Sequence, residues 1–166
     1  MNSMSKYYRD DPCKKEEQKC NFTAIKCGNP SSTTIPVGTV AGTTFTVASL
    51  TVNTNKIKNP TIKLEFASNI VTTAFVGTLT FQVFKVCNNQ LTPIPVGPSW
   101  TYTETVAITD ASTFSFFICD CDTCFNDCCT YTVVATVGLL TVGTIAINNA
   151  TLGAIIAGDS GSGCNC

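Results

Sequence analysis

Sulfur carries most of the chemistry this sequence offers. Cysteines stand at positions 13, 20, 27, 87, 119, 121, 124, 128, 129, 164 and 166. An odd total forbids complete pairing within one chain, so either a thiol stays free or some bonds join different molecules. Cys13, Cys20 and Cys27 follow one another at seven-residue steps, and Cys164 and Cys166 close a Gly/Ser-rich end. These five are the candidates for disulfides between molecules. Cys87, Cys119, Cys121, Cys124, Cys128 and Cys129 are the candidates for disulfides within the domain. Such a density of cysteine is foreign to a reducing cytosol unless metal is bound.

Other features imitate catalysis without completing it. The run Gly158-Asp159-Ser160-Gly161 looks like the nucleophile segment of a serine protease, but that chemistry needs a base to take the serine proton. The chain contains no histidine, the commonest general base and metal ligand. Glu65 and Glu104 are isolated on alternating segments and read as solvent-face residues rather than a glycosidase pair. Arg9 is the single arginine, which argues against phosphate or carboxylate clamps. The dense run from Cys119 to Cys129 has four or more sulfurs for a tetrahedral zinc shell, but it lacks the paired C-x-x-C knuckles of a zinc ribbon. Asp120, Asp122 and Asp127 in the same run lack the glycine and closing glutamate of an EF-hand loop. The expectation is therefore disulfides stapling a hairpin, no cofactor, no metal and no enzyme.

Charge narrows the partners. Lys and Arg number 10 against 11 Asp and Glu, giving a formal net charge of −1, and only 13% of residues are charged. Nucleic acid, which needs a basic face for counterion release, is not an expected partner. The surface is instead covered by uncharged polar groups, with 27 Thr and 13 Asn, and low charge favours association over colloidal repulsion. No unbroken run of about 20 apolar residues offers a membrane span. The opening residues show no apolar core of a secretory signal, so a chain made in a cytoplasm is nonetheless furnished for oxidising surroundings.

Those residues must be positioned by strands. Residues 1–28 hold 10 of the 21 charges and read as a flexible connector arm, since Pro12 and short length disfavour a stable helix. Residues 29–158 form the body, and 159–166 a Gly/Ser-rich tail ending in Cys-x-Cys. In the body, Thr61–Phe66 alternates cleanly with Ile62, Leu64 and Phe66 inward. Leu79, Phe81 and Val83 share a face before a bulge or face switch near Phe84, and Phe114, Phe116 and Phe117 read as core. Residues 44–52 alternate imperfectly, and 100–106 set large or acidic residues against threonine. Asn59-Pro60, Asn88-Asn89, Gly97-Pro98 and Asn148-Asn149 divide the runs, separating 139–147 from 150–157 as two strands. The closing segment, rich in small residues, reads as a weakly specified edge. About eight to ten short strands and no convincing helix predict an all-β, jelly-roll-like β-sandwich of about eight strands.

Several strings resemble an uncharacterised clostridial cysteine-rich domain family: Ile25-Lys26-Cys27-Gly28, Leu64-Glu65-Phe66-Ala67-Ser68-Asn69-Ile70, Leu79 to Cys87, Phe114 to Cys121, and Cys128 to Val133. The overall plan is similar, more loosely, to the endospore appendage subunits of Bacillus. That resemblance implies a jelly-roll body, no signal peptide, and a connector whose thiols, here Cys13 and Cys20, bond to neighbouring subunits. It also implies release to the spore surface when the mother cell lyses. The expected function is a structural subunit whose partners are copies of itself, joined head to tail in a disulfide-cross-linked fibre, with no nucleic acid and no membrane involved. The alternative is a carbohydrate- or metal-binding module using Trp100, Tyr102 and the loop aspartates.

Overall fold

Between Ile57 and Cys87 one strand runs for far longer than the ordinary length of about 3–10 residues, with burial alternating along it except at Lys58–Asn59 and Thr73–Ala74. The computed structural model shows how that length is used. It describes residues 21–55, 57–88, 90–121, 128–138 and 142–160. The strands are β1 (Asn21–Cys27), β2 (Ser31–Ile35), β3 (Thr44–Asn53), β4 (Ile57–Cys87), β5 (Ile94–Asp120), β6 (Cys128–Val137) and β7 (Val142–Ser160), with no helix among the described residues. Every ladder is antiparallel.

β4 and β5 form one long ribbon that folds over. In the first part of β4, residues 62, 64, 66, 68, 70 and 72 are buried; in the second, residues 75, 77, 79, 81, 83, 85 and 87 are. Thr73 and Ala74, both exposed, shift the pleat by one residue, and Ala74 takes φ 49° there. Ladders to β5 and β7 slip at the same place. Gly143, at φ 79°, lies against the bend so closely that a Cβ would collide with the carbonyls of Thr73 and Ala74. Glycine alone fits such an approach.

The fold-over makes two layers. One runs β1 and β2, β7, the first part of β4, and the second part of β5; the other runs β3, β6, the second part of β4, and the first part of β5. Their apolar faces meet in a core built on Ile62, Leu64, Phe66, Ile70, Phe75, Leu79, Phe81, Val133, Ile147 and Leu152. Each such side chain contributes about 1.5–3 kcal/mol of burial free energy. An aromatic seam closes the side bounded by β5. Phe66 packs on Phe81 with centroids 5.9 Å apart, Phe81 on Phe114 at 4.6 Å, and Trp100 stacks on Phe116 at 4.0 Å.

The all-β sandwich read from the sequence is the fold, but several local readings change. No face switch occurs at Phe84, although the ladder to β5 slips close by, between Phe81 and Val83. The pleat runs unbroken to Cys87 and turns Lys85 inward, and the true shift is at Thr73–Ala74. In β3 an extra residue, Val47, is inserted between Thr46 and Ala48, so both Val47 and Ala48 are buried, and Ser31 Oγ donates to the Val47 carbonyl at the insertion. The closing segment is one strand, not two. Asn149 (φ 53°) marks its kink, and it lies inside the layer between β1/β2 and β4 rather than at an edge. The sheet also begins at Asn21, so Cys27 stands on a strand of the body.

Lys85 stays inside because it has partners. Its Nζ donates to Asp120 Oδ1 at 3.1 Å and Oδ2 at 2.8 Å, and Tyr131 Oη donates to Oδ2 at 2.7 Å. The two charged side chains are only 5% and 3% exposed. Asp120 belongs to one layer and Lys85 and Tyr131 to the other, so the group ties the layers together at one end. Removing one charge leaves the other buried without its opposite charge. Lys85→Met should cost about 3–5 kcal/mol in denaturant unfolding, whereas the triple change Lys85→Met/Asp120→Leu/Tyr131→Phe should recover most of that loss. Equal losses in both variants would contradict this account.

Candidate functional site

The candidate chemistry is the distribution of sulfur, and the pleat decides which sulfurs face inward. Cys87 on β4 and Cys129 on β6 are directly opposite each other and inward, and they form a disulfide with Cα atoms 3.9 Å apart. Both are buried in the core. The neighbouring turn is fastened: the Cys87 N–H donates to Gln90 Oε1 at 2.9 Å, and the Asn88 N–H to the Cys128 carbonyl at 3.1 Å. Cys128, one residue from Cys129, faces the other way and is half-buried.

Three described cysteines are exposed thiols: Cys27, and also Cys119 and Cys121, which were candidates for disulfides within the domain but form none here. Cys119 and Cys121 line a cavity of about 320 Å³ together with Lys85, Cys87, Gln90 and Asp120. Gly97 (φ 62°) brings the start of β5 against Ile118 at this end, where a Cβ would overlap the isoleucine side chain. Cys27 and Cys119 both face outward from the same layer at its opposite edges. One row across the strands runs Ile25, Ile155, Lys63, Cys119, and the next runs Cys27, Gly153, Glu65, Phe117. Cys13, Cys20, Cys124, Cys164, Cys166, Asp122 and Asp127 lie outside the described residues. Among the described residues no group of three or more Cys, Asp or Glu side chains comes together as a metal shell.

The features that imitate catalysis are separated. Glu65 is exposed and paired with Lys63 at 2.5 Å, whereas Glu104 accepts from Tyr102 Oη at 3.0 Å near the bend in the ribbon. Trp100 is committed to its stack on Phe116, at an interplanar angle of 11°, and Tyr102 meets the Phe114 ring edge-on at 6.1 Å. Burial pushes the Tyr102 phenol above its ordinary value of 10.0, and Glu104 and the charge of Asp110 push the same way against a hydrogen bond with Ser112. Because the neutral phenol is the favoured form, its contribution to stability is intact below pH 10.0 and is lost as pH climbs through the raised value. Spectrophotometric titration should show a late tyrosinate transition that Tyr102→Phe removes; an unchanged titration would contradict the assignment.

Sequence reading missed two residues. Lys85 was legible in principle, since it continues the spacing of Leu79, Phe81 and Val83, but its charge argued for the outside. Phe117, read as core, is 64% exposed, because Phe116 beside it takes the inward face.

The chain belongs to a family described as a domain of unknown function (DUF4489), whose match spans residues 21–157 and so begins where β1 begins. No curated protein matches it. Among solved structures it is similar to a chain of infectious bursal disease virus Gx strain, with TM-score 0.48, 8% identity, and coverage of 84% of this chain and 36% of that one. It is also similar to dimeric latent PorU from Porphyromonas gingivalis, with TM-score 0.40, 9% identity, and coverage of 84% and 13%. A third is the family 11 carbohydrate-binding module from Clostridium thermocellum, with TM-score 0.34, 13% identity, and coverage of 80% and 86%. At these identities none bears on what this chain binds.

Thiol accessibility checks the sulfur assignment. Alkylation of unreduced, folded protein should modify Cys27, Cys119 and Cys121, with Cys87 and Cys129 reacting only after reduction and unfolding. Ready modification of Cys87 without reductant would contradict it.

Proposed function

We propose that this chain is a structural subunit, not an enzyme, that assembles with copies of itself into a disulfide-cross-linked fibre or spore-surface appendage outside the cell. The observation that carries the reading is the division of sulfur. The buried Cys87–Cys129 disulfide serves the body, while exposed thiols stand outward at opposite edges of one layer. Cys13 and Cys20 in the arm and Cys164 and Cys166 in the tail supply further sulfurs for neighbours.

The mechanism is covalent capture of a weak contact. The outer side of β5 carries no ladder among the described residues, and an unpaired strand edge is a template for another chain. Head-to-tail contacts that do not close produce filaments rather than rings. Once neighbours are aligned, their thiols meet at high effective concentration, and oxidation makes dissociation depend on breaking covalent bonds. A small net charge removes repulsion between copies. Release by lysis of the mother cell would deliver the subunits to an oxidising exterior.

Electron microscopy and non-reducing electrophoresis of oxidised protein test this. Fibres and a ladder of multimers should form and collapse to monomer with reductant. The variant with serine at 13, 20, 27, 119, 121, 164 and 166 should stay monomeric. A single monomer band from oxidised wild-type protein would end the reading.

A further inference from the structure

The outer face of the β1–β7–β4–β5 layer carries a feature that assembly does not require. Phe117 is 64% exposed, with Lys63 Nζ 5.1 Å from its ring centroid. Beside it is a trough of about 470 Å³ lined by Phe117, Glu65, Ala67, Ser115, Thr151 and Gly153. The register explains its shape. Phe117, Glu65 and Gly153 form one row across three strands, and Ser115, Ala67 and Thr151 the next. Gly153, Ala67 and Ser115 are small, so the floor is low between a tall aromatic wall and the Thr151 side. With strands about 4.8 Å apart and same-face rows about 6.8 Å apart, the frame measures roughly 10 by 7 Å, close to one pyranose ring.

We propose that this trough binds one hexopyranose unit of a neutral glycan. A sugar ring presents an apolar face to an aromatic platform and hydroxyls around its rim, and the trough offers both complements. Glu65 accepts hydrogen bonds. The Ser115 hydroxyl donates and accepts, and Thr151 Oγ1, which donates to the Asn149 carbonyl at 3.0 Å, keeps lone pairs to accept. Charge selects a neutral ligand: Glu65 is compensated by Lys63 at 2.5 Å, leaving no net charge to recruit an acidic or basic one. The trough uses no cysteine, but it shares its face with Cys27 and Cys119, so the test reads binding and assembly separately.

Titration calorimetry of the full-length protein with maltohexaose, cellohexaose and chitohexaose, and polygalacturonate as a charged control, tests it. At least one neutral oligosaccharide should bind saturably. Phe117→Ala should weaken it by about tenfold or more through loss of the stacking face. Gly153→Val should do the same by filling the trough with the platform intact, because a Cβ at 153 meets only carbonyls at 3.8 and 3.9 Å. Both variants should keep the wild-type unfolding midpoint and the wild-type multimer ladder on non-reducing gels, which reads assembly separately. Absence of binding to all three neutral probes, undiminished affinity in both variants, or preference for polygalacturonate would overturn the proposal. So would concentration-dependent self-association abolished by Phe117→Ala, which would identify a second copy as the occupant.

Discussion

A charged group locked inside the end of a β-sandwich sets the phase of everything around it. Side chains of a strand alternate strictly between faces, so fixing one residue fixes its neighbours. Lys85 inward puts Cys87 inward, opposite Cys129. Asp120 inward puts Cys119 outward. The bonds among Lys85, Asp120 and Tyr131 therefore decide which sulfurs the domain keeps for itself and which it presents. Burying such a pair rarely adds stability compared with an apolar core; here its consequence is register.

The same constraint joins the fold to the proposed assembly. The β4–β5 ribbon must double back for Asp120 to reach Lys85, and the one-residue phase shift across Thr73–Ala74 with Gly143 packed beneath it makes that possible. Doubling back leaves β5 flanking β4 in both layers with its other side unladdered among the described residues. It also stacks Trp100 on Phe116 across the layers, which withdraws the aromatic residues that most suggested a ligand platform. Phe117, on the opposite face of the same strand, takes that position on the outside.

The β-rich class and the inward faces of Ile62–Phe66 and Leu79–Val83 were legible because burial on one side leaves a period of two in the sequence. Three things were not. The phase shift at Thr73–Ala74 is written in two ordinary residues whose role depends on a glycine nearly seventy positions away. Lys85 violates the hydrophobic pattern, and its partners Asp120 and Tyr131 are distant in sequence. The inner position of β7 follows from pairing with both β1 and β4, which no local pattern of small residues encodes. For the sulfur chemistry, the odd count and the clustering were visible, but the Cys87–Cys129 pair depended on knowing which strands are neighbours.

In the proposed assembly the body keeps the Cys87–Cys129 disulfide for itself and spends its outward sulfurs on neighbours. Mass spectrometry of fibres assembled from an equal mixture of isotope-labelled and unlabelled chains tests it directly. Cys87–Cys129 peptides should be found only as same-isotope pairs, with mixed-isotope pairs confined to Cys27, Cys119, Cys121 and the cysteines of the arm and tail. Mixed-isotope Cys87–Cys129 pairs, or fibres without any mixed-isotope disulfide, would contradict the account.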